Sequence, residues 1–127
     1  MSYNRYYLTK TENMNVKLSR SEKKAVARIL TDIALADSVI TKEEAAFMAV
    51  VSDALDIPIR DVKNSRDLSV TRCIATLRDM DPDVKKEVGI LMLGMMAIDG
   101  DVDKEEVKLI AAACVAADIP LPDLSKK

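Results

Sequence analysis

The sequence predicts an all-α protein: a single-domain helical bundle built from two pseudosymmetric helix–elbow–helix repeats. Three observations carry this. Apolar residues make up 49% of the 127-residue chain, with aromatics at 3%, three Gly and four Pro, a composition biased toward helix with Leu, Ile, Val, Met and Ala filling the core. Apolar positions recur at helical spacing between capping signals. The chain also repeats itself at an offset of 62 residues without a gap, from Ser19 paired with Asp81 to Lys63 paired with Ser125. Identities in that register fall at punctuation sites: Asp37/Asp99, Lys42-Glu43-Glu44/Lys104-Glu105-Glu106 and Asp56-Ile57-Pro58/Asp118-Ile119-Pro120.

Residues 1–18 are polar, lack a sustained period and are expected to form an N-terminal tail, with Tyr3, Tyr6 and Tyr7 available for one helical turn. Ser19-Arg20-Ser21-Glu22 has the form of a capping box, in which a Ser hydroxyl and a Glu carboxylate satisfy each other's orphan amides. Behind it Val26, Ile29, Leu30 and Ile33 predict a helix over 20–36. Thr41-Lys42-Glu43-Glu44 is a second box, starting a helix that runs to about Leu55 and is stopped by Asp56-Ile57-Pro58. A short turn is expected over 59–64 and a connector helix over 66–79, with Cys73 and Leu77 on its apolar face. Asp81-Pro82 supplies an N-cap and a proline at the first helical position. The helix that follows is apolar on all sides from Val88 onward, so it must be central and covered by its neighbours. Asp103 with Glu106 caps the last helix, closed at Asp118-Ile119-Pro120. Repeat one therefore spans 19–63 and repeat two 81–125, within one domain over 19–125.

Each repeat has an acidic elbow, Asp37 to Glu44 and Asp99 to Glu106. The second holds five carboxylates, from Asp99, Asp101, Asp103, Glu105 and Glu106. Oxygen ligands of this kind suit hard divalent cations. The comparison with a calcium-binding EF-hand fails, because loop position 6 is Lys104 rather than Gly and position 12 is Ile110 rather than Glu. Helix capping explains Thr41, Glu44, Asp103 and Glu106 equally well, since acids in a first turn oppose the helix dipole. It explains Asp37 and Asp99 less well, because a negative charge at a helix C-terminus is unfavourable by up to about 1 kcal/mol.

The elbows and the repeat that carries them resemble the tellurite-resistance TerB-like family, over about residues 19–125. The family pattern reads here as Leu35-Ala36-Asp37-Ser38-Val39-Ile40-Thr41-Lys42-Glu43-Glu44 and Ala97-Ile98-Asp99-Gly100-Asp101-Val102-Asp103-Lys104-Glu105-Glu106. Ser38 departs from it by replacing a glycine. The resemblance implies a helical, non-catalytic stress-response module whose elbows bind a divalent cation of the Ca or Mg type or a protein partner. Carried over by position, the cation ligands are Asp37, Glu44, Asp99, Asp103 and Glu106. The alternative is a metal-free interaction module resembling the helical domain of a membrane-anchored DnaJ-like co-chaperone.

Other chemistry is sparse. The chain has no histidine, which removes the commonest general base, and no phosphate loop or nucleophile elbow. A net charge of −2 gives no general attraction to nucleic acid. The longest apolar run, 88–98, is too short to span a bilayer, and no signal peptide is visible, so a cytoplasmic protein is expected. Cys73 and Cys114 read as buried thiols. Lys23-Lys24 and Lys85-Lys86 recur at the starts of corresponding helices.

Overall fold

The computed structural model describes residues 3–36, 39–98 and 103–120. Among these there are seven α-helices and no strand: α1 (Tyr3–Glu12), α2 (Arg20–Ala34), α3 (Lys42–Ala54), α4 (Ile59–Lys63), α5 (Val70–Arg78), α6 (Pro82–Ala97) and α7 (Lys104–Ala117). A 3-10 turn, Ser65–Asp67, joins α4 to α5.

The local signals act as the residues require. Both capping boxes form: Ser19 Oγ accepts from Glu22 N at 3.2 Å while Glu22 Oε1 accepts from Ser19 N at 2.8 Å. Thr41 Oγ1 and Glu44 Oε1 make the same exchange at 3.1 and 2.9 Å. Asp103 accepts from Glu105 N, one residue earlier than a capping box would place the bond, at 2.6 Å. Asp81 makes no side-chain cap, so the start of α6 rests on Pro82 at its first position and on Asp81 O accepting from Lys85 N.

Two expectations change. Residues 3–12, expected as tail, form α1, which packs across α3 and α6 and buries Tyr7 and Thr11 one helical turn apart. A helix dominated by polar residues carries too faint an apolar stripe to be read from sequence; burial of two positions holds it in place. The connector helix, expected from about residue 66, starts at Val70. Ser69 is its N-cap and accepts from Arg72 N at 3.1 Å, which leaves 65–67 to the tighter 3-10 turn.

The helices exchange in pairs: α1 with α5, α2 with α6, α3 with α7. The central pair α2 and α6 pack on each other. Around them α1 lies on α3 and α6, as α5 lies on α7 and α2, and α3 touches α6 as α7 touches α2. The repeat is thus three helices long, and the expected connector is the first helix of the second repeat. Segment 13–19 is four residues longer than 79–81, so α1 corresponds to α5 four residues off the 62-residue register. That sets Tyr7 against Cys73 and Thr11 against Leu77.

Helix ends repeat as well. Asp56 and Asp118 are left-handed, with φ of 55° and 56°. Ile57 N donates to Ser52 O and Ile119 N to Cys114 O, both at 2.8 Å, closing α3 and α7 with the same reverse turn. Lys23 reaches Asp56 Oδ2 at 3.7 Å, and Lys85 Nζ donates to Asp118 O at 3.3 Å. The repeated lysines therefore sit over the C-terminal turns of the outer helices, where a cation is favoured.

The core runs through every helix but α4, with Leu30, Ile33, Phe47, Val51, Leu77, Leu91, Met92, Met95 and Ile110 at most 1% exposed. Gly94 lets α3 approach α6: a Cβ there would come within 2.5 Å of Phe47 Cζ. Gly94→Ala should therefore cost about 1–3 kcal/mol from overpacking, against about 1 kcal/mol gained in helix propensity. In a Phe47→Leu background, which copies Leu109 of the other repeat, the loss should vanish. Urea unfolding of the two single variants and the double variant measures this non-additivity.

Candidate metal centre

Of the five sequence-derived ligands, Asp37 and Asp99 lie outside the described residues. The other three stand at the starts of α3 and α7. Glu44 and Glu106, paired by the 62-residue offset, are each 2% exposed, so the same elbow position in both repeats holds a buried acid. Asp103 is half-buried at the mouth of the second elbow. The structure places Asp103 and Glu106 in one elbow and Glu44 in the other. Among the described residues no three His, Cys, Asp or Glu side chains cluster closely enough to hold a metal ion.

These carboxylates already do structural work. Glu44 gives Oε1 to Thr41 N, and Asp103 gives Oδ1 to Glu105 N. Glu44 and Asp103 each have a second oxygen beyond the one used, and all the donors are carboxylates. Such a set fits a hard cation and offers nothing to soft metals. Replacing Thr41 by Ala should cost about 1 kcal/mol through loss of the cap on Glu44 N, read from the midpoint of urea unfolding at unchanged slope.

Sequence reasoning missed a second polar cluster. Arg28, 8% exposed, donates from Nε to Asp32 Oδ2 at 2.8 Å, and from Nη1 to Arg66 O at 3.1 Å and to Leu68 O. Asp32 Oδ1 lies 3.2 Å from Arg66 Nε without hydrogen-bond alignment. The i, i+4 spacing of Arg28 and Asp32 was visible on α2; their bond to a loop some forty residues away was not. The cluster pins the 3-10 turn to α2, which is a structural task.

Cys73 and Cys114 are buried and unpaired by disulfide, as expected. Burial pushes the Cys73 thiol up from 9.0 to about 11; the Asp32 charge adds to this and Arg28 partly opposes it. Burial raises Cys114 as well. Neither is a ready thiolate nucleophile. A folded pKa above the unfolded one means the neutral Cys73 thiol stabilises fully below pH 9.0 and loses that contribution as pH rises through about 11. Urea unfolding of wild type and Cys73→Ala across pH 8–11.5 should show a shallower alkaline decline in the variant.

The fold is a helical domain built from two related sets of helices packed about α2 and α6. Residues 7–67 match the family model described as Tellurite resistance protein TerB. The matched span takes in most of α1, all of α2 to α4 and the first elbow. The match begins at Tyr7, inside the segment expected to be tail. A protein of unknown function from Porphyromonas gingivalis W83 shares the fold, with a TM-score of 0.68 and 24% identity over 85% of this chain and 90% of that one. A comparison with curated proteins finds no match. Among the described residues no helix is long and apolar enough to cross a membrane.

Proposed function

We propose that this chain is a non-catalytic, TerB-like stress-response module of the tellurite-resistance type. It acts in the cytoplasm and binds a divalent cation of the Ca or Mg class through its two elbows. The observation that supports this reading is the pair of buried acids, Glu44 and Glu106, at one elbow position in both repeats. Burying a carboxylate costs free energy unless partners compensate it. A repeat-built domain with the acid in both copies gives a cation a place as a further partner, beside the bonds these acids already make. In this reading Asp37 and Glu44 serve the first elbow, and Asp99, Asp103 and Glu106 the second. A bound cation would neutralise these acids and tie α2 to α3 and α6 to α7; a protein partner then reads the ordered elbows.

A second reading rests on the caps themselves. The Thr41–Glu44 box is complete and Asp103 bonds the amide two residues on, so these acids are employed without a metal. The domain is then a metal-free interaction module resembling the helical domain of a membrane-anchored DnaJ-like co-chaperone.

Thermal unfolding after chelation, with Ca²⁺, Mg²⁺, Mn²⁺ or Zn²⁺ returned at matched ionic strength, separates the two. At about 100 times the dissociation constant a bound cation adds roughly 2.7 kcal/mol, a melting shift on the order of 10 °C at this size. The cation reading expects that shift with Ca²⁺ or Mg²⁺ and its loss in the Asp37→Asn/Asp99→Asn double variant. No shift with any ion at millimolar concentration would leave the metal-free reading standing.

A further inference from the structure

We infer that α1 is a displaceable strap: it lifts reversibly from the seam between α3 and α6 while the remaining helices stay folded. The contrast between α1 and its counterpart α5 carries this. Both helices lie across one outer and one central helix, yet they are held differently. The α5 helix turns Cys73 and Leu77 into the core, an apolar pair one turn apart. The α1 helix turns in Tyr7 and Thr11, and Thr11 is 0% exposed with no partner for its hydroxyl. A buried hydroxyl without a partner is penalised only while it is kept from water, so this penalty acts against the docked state of α1 alone.

The tethers differ in the same sense. At its start α5 has the Ser69 cap and the Arg28 bonds to Arg66 O and Leu68 O, and three residues join it to α6. By contrast α1 runs into the seven residues 13–19. There Met14, Val16 and Leu18 are half-buried and alternate with exposed Asn13, Asn15 and Lys17. That alternation lays an extended segment along the core, more than twice the length of the link between α5 and α6. A groove of about 610 Å³ between Tyr6 and Lys10 of α1, residues 13–16, and Glu87 of α6 leaves one flank of α1 without a packed neighbour. Phe47 meets Gly94 directly, so α3 keeps a close contact with α6 when α1 lifts.

Native-state hydrogen exchange on the full chain tests this. Amides of α1 should be at least tenfold less protected than those of α6. Thr11→Val, which removes the hydroxyl at constant shape, should raise α1 protection about tenfold. Ile110→Val, a mild core change in α7, should lower α6 protection about threefold to tenfold and leave α1 protection unchanged, because a local opening does not involve α7. Protection of α1 that falls in step with α6 in Ile110→Val would mean the helix leaves only with the whole fold, and would overturn the inference. An unchanged α1 in Thr11→Val would overturn it as well.

Discussion

The burial of α6 is the constraint on which the other placements depend. From Val88 to Ile98 this helix offers almost no polar side, and Val88, Leu91, Met92, Met95 and Ile98 are each at most 3% exposed. A helix without a solvent face must be wrapped, and α1, α2, α3 and α7 wrap it. Its counterpart α2 differs: Arg28 and Asp32 give it a polar edge, used to hold the 3-10 turn. The two central helices thus share a position but not a surface. The pseudosymmetry is that of a backbone arrangement, with side chains free to diverge.

Where they diverge, packing changes with them. Phe47 meets Gly94 between α3 and α6; their counterparts Leu109 and Asp32 line one groove with Cys73 of α5. A ring against a glycine gives close approach, and a leucine beside an aspartate does not. The exchange leaves a shallow apolar groove of about 220 Å³ lined by Val70, Cys73, Leu109 and three alanines of α7. One half sets a ring against a glycine but docks a helix with an unmet hydroxyl; the other has the shallow groove and a firmly tethered first helix. Both asymmetries come from a handful of substitutions within a fixed arrangement of helices.

How much of this was legible in the sequence follows from the range of the interactions involved. Signals within a few residues were read correctly: the boxes at Ser19–Glu22 and Thr41–Glu44, the stop at Asp56-Ile57-Pro58 and its copy, and the all-round apolarity of α6. What failed depended on contacts distant in the chain. Nothing local in residues 3–12 announces a helix, since its anchor is the core beneath Tyr7 and Thr11. The start of α5 was placed too early because Arg66 continues a helical pattern that the Ser69 cap and the Arg28 bonds override. At the candidate site, sequence named Glu44 and Glu106 from motif position alone. Their burial, which makes them more than surface caps, needed the packing of two repeats.

Capping and cation binding at the elbows are not exclusive, because they draw on different properties of one side chain. A cap requires an oxygen acceptor in the right place, and Asn serves nearly as well as Asp. A divalent cation requires net negative charge in addition. The structure shows the acceptor function at Glu44 and Asp103, and the repeat shows acids kept where a neutral acceptor would cap as well: Lys42-Glu43-Glu44 recurs as Lys104-Glu105-Glu106, although Thr41 and Asp103 differ. A capping box itself holds the glutamate in common, because Glu44 Oε1 accepts from the N-cap amide whichever side chain stands at the N-cap. The shared position is met by the cap, and a cation would draw on the negative charge that the cap does not require.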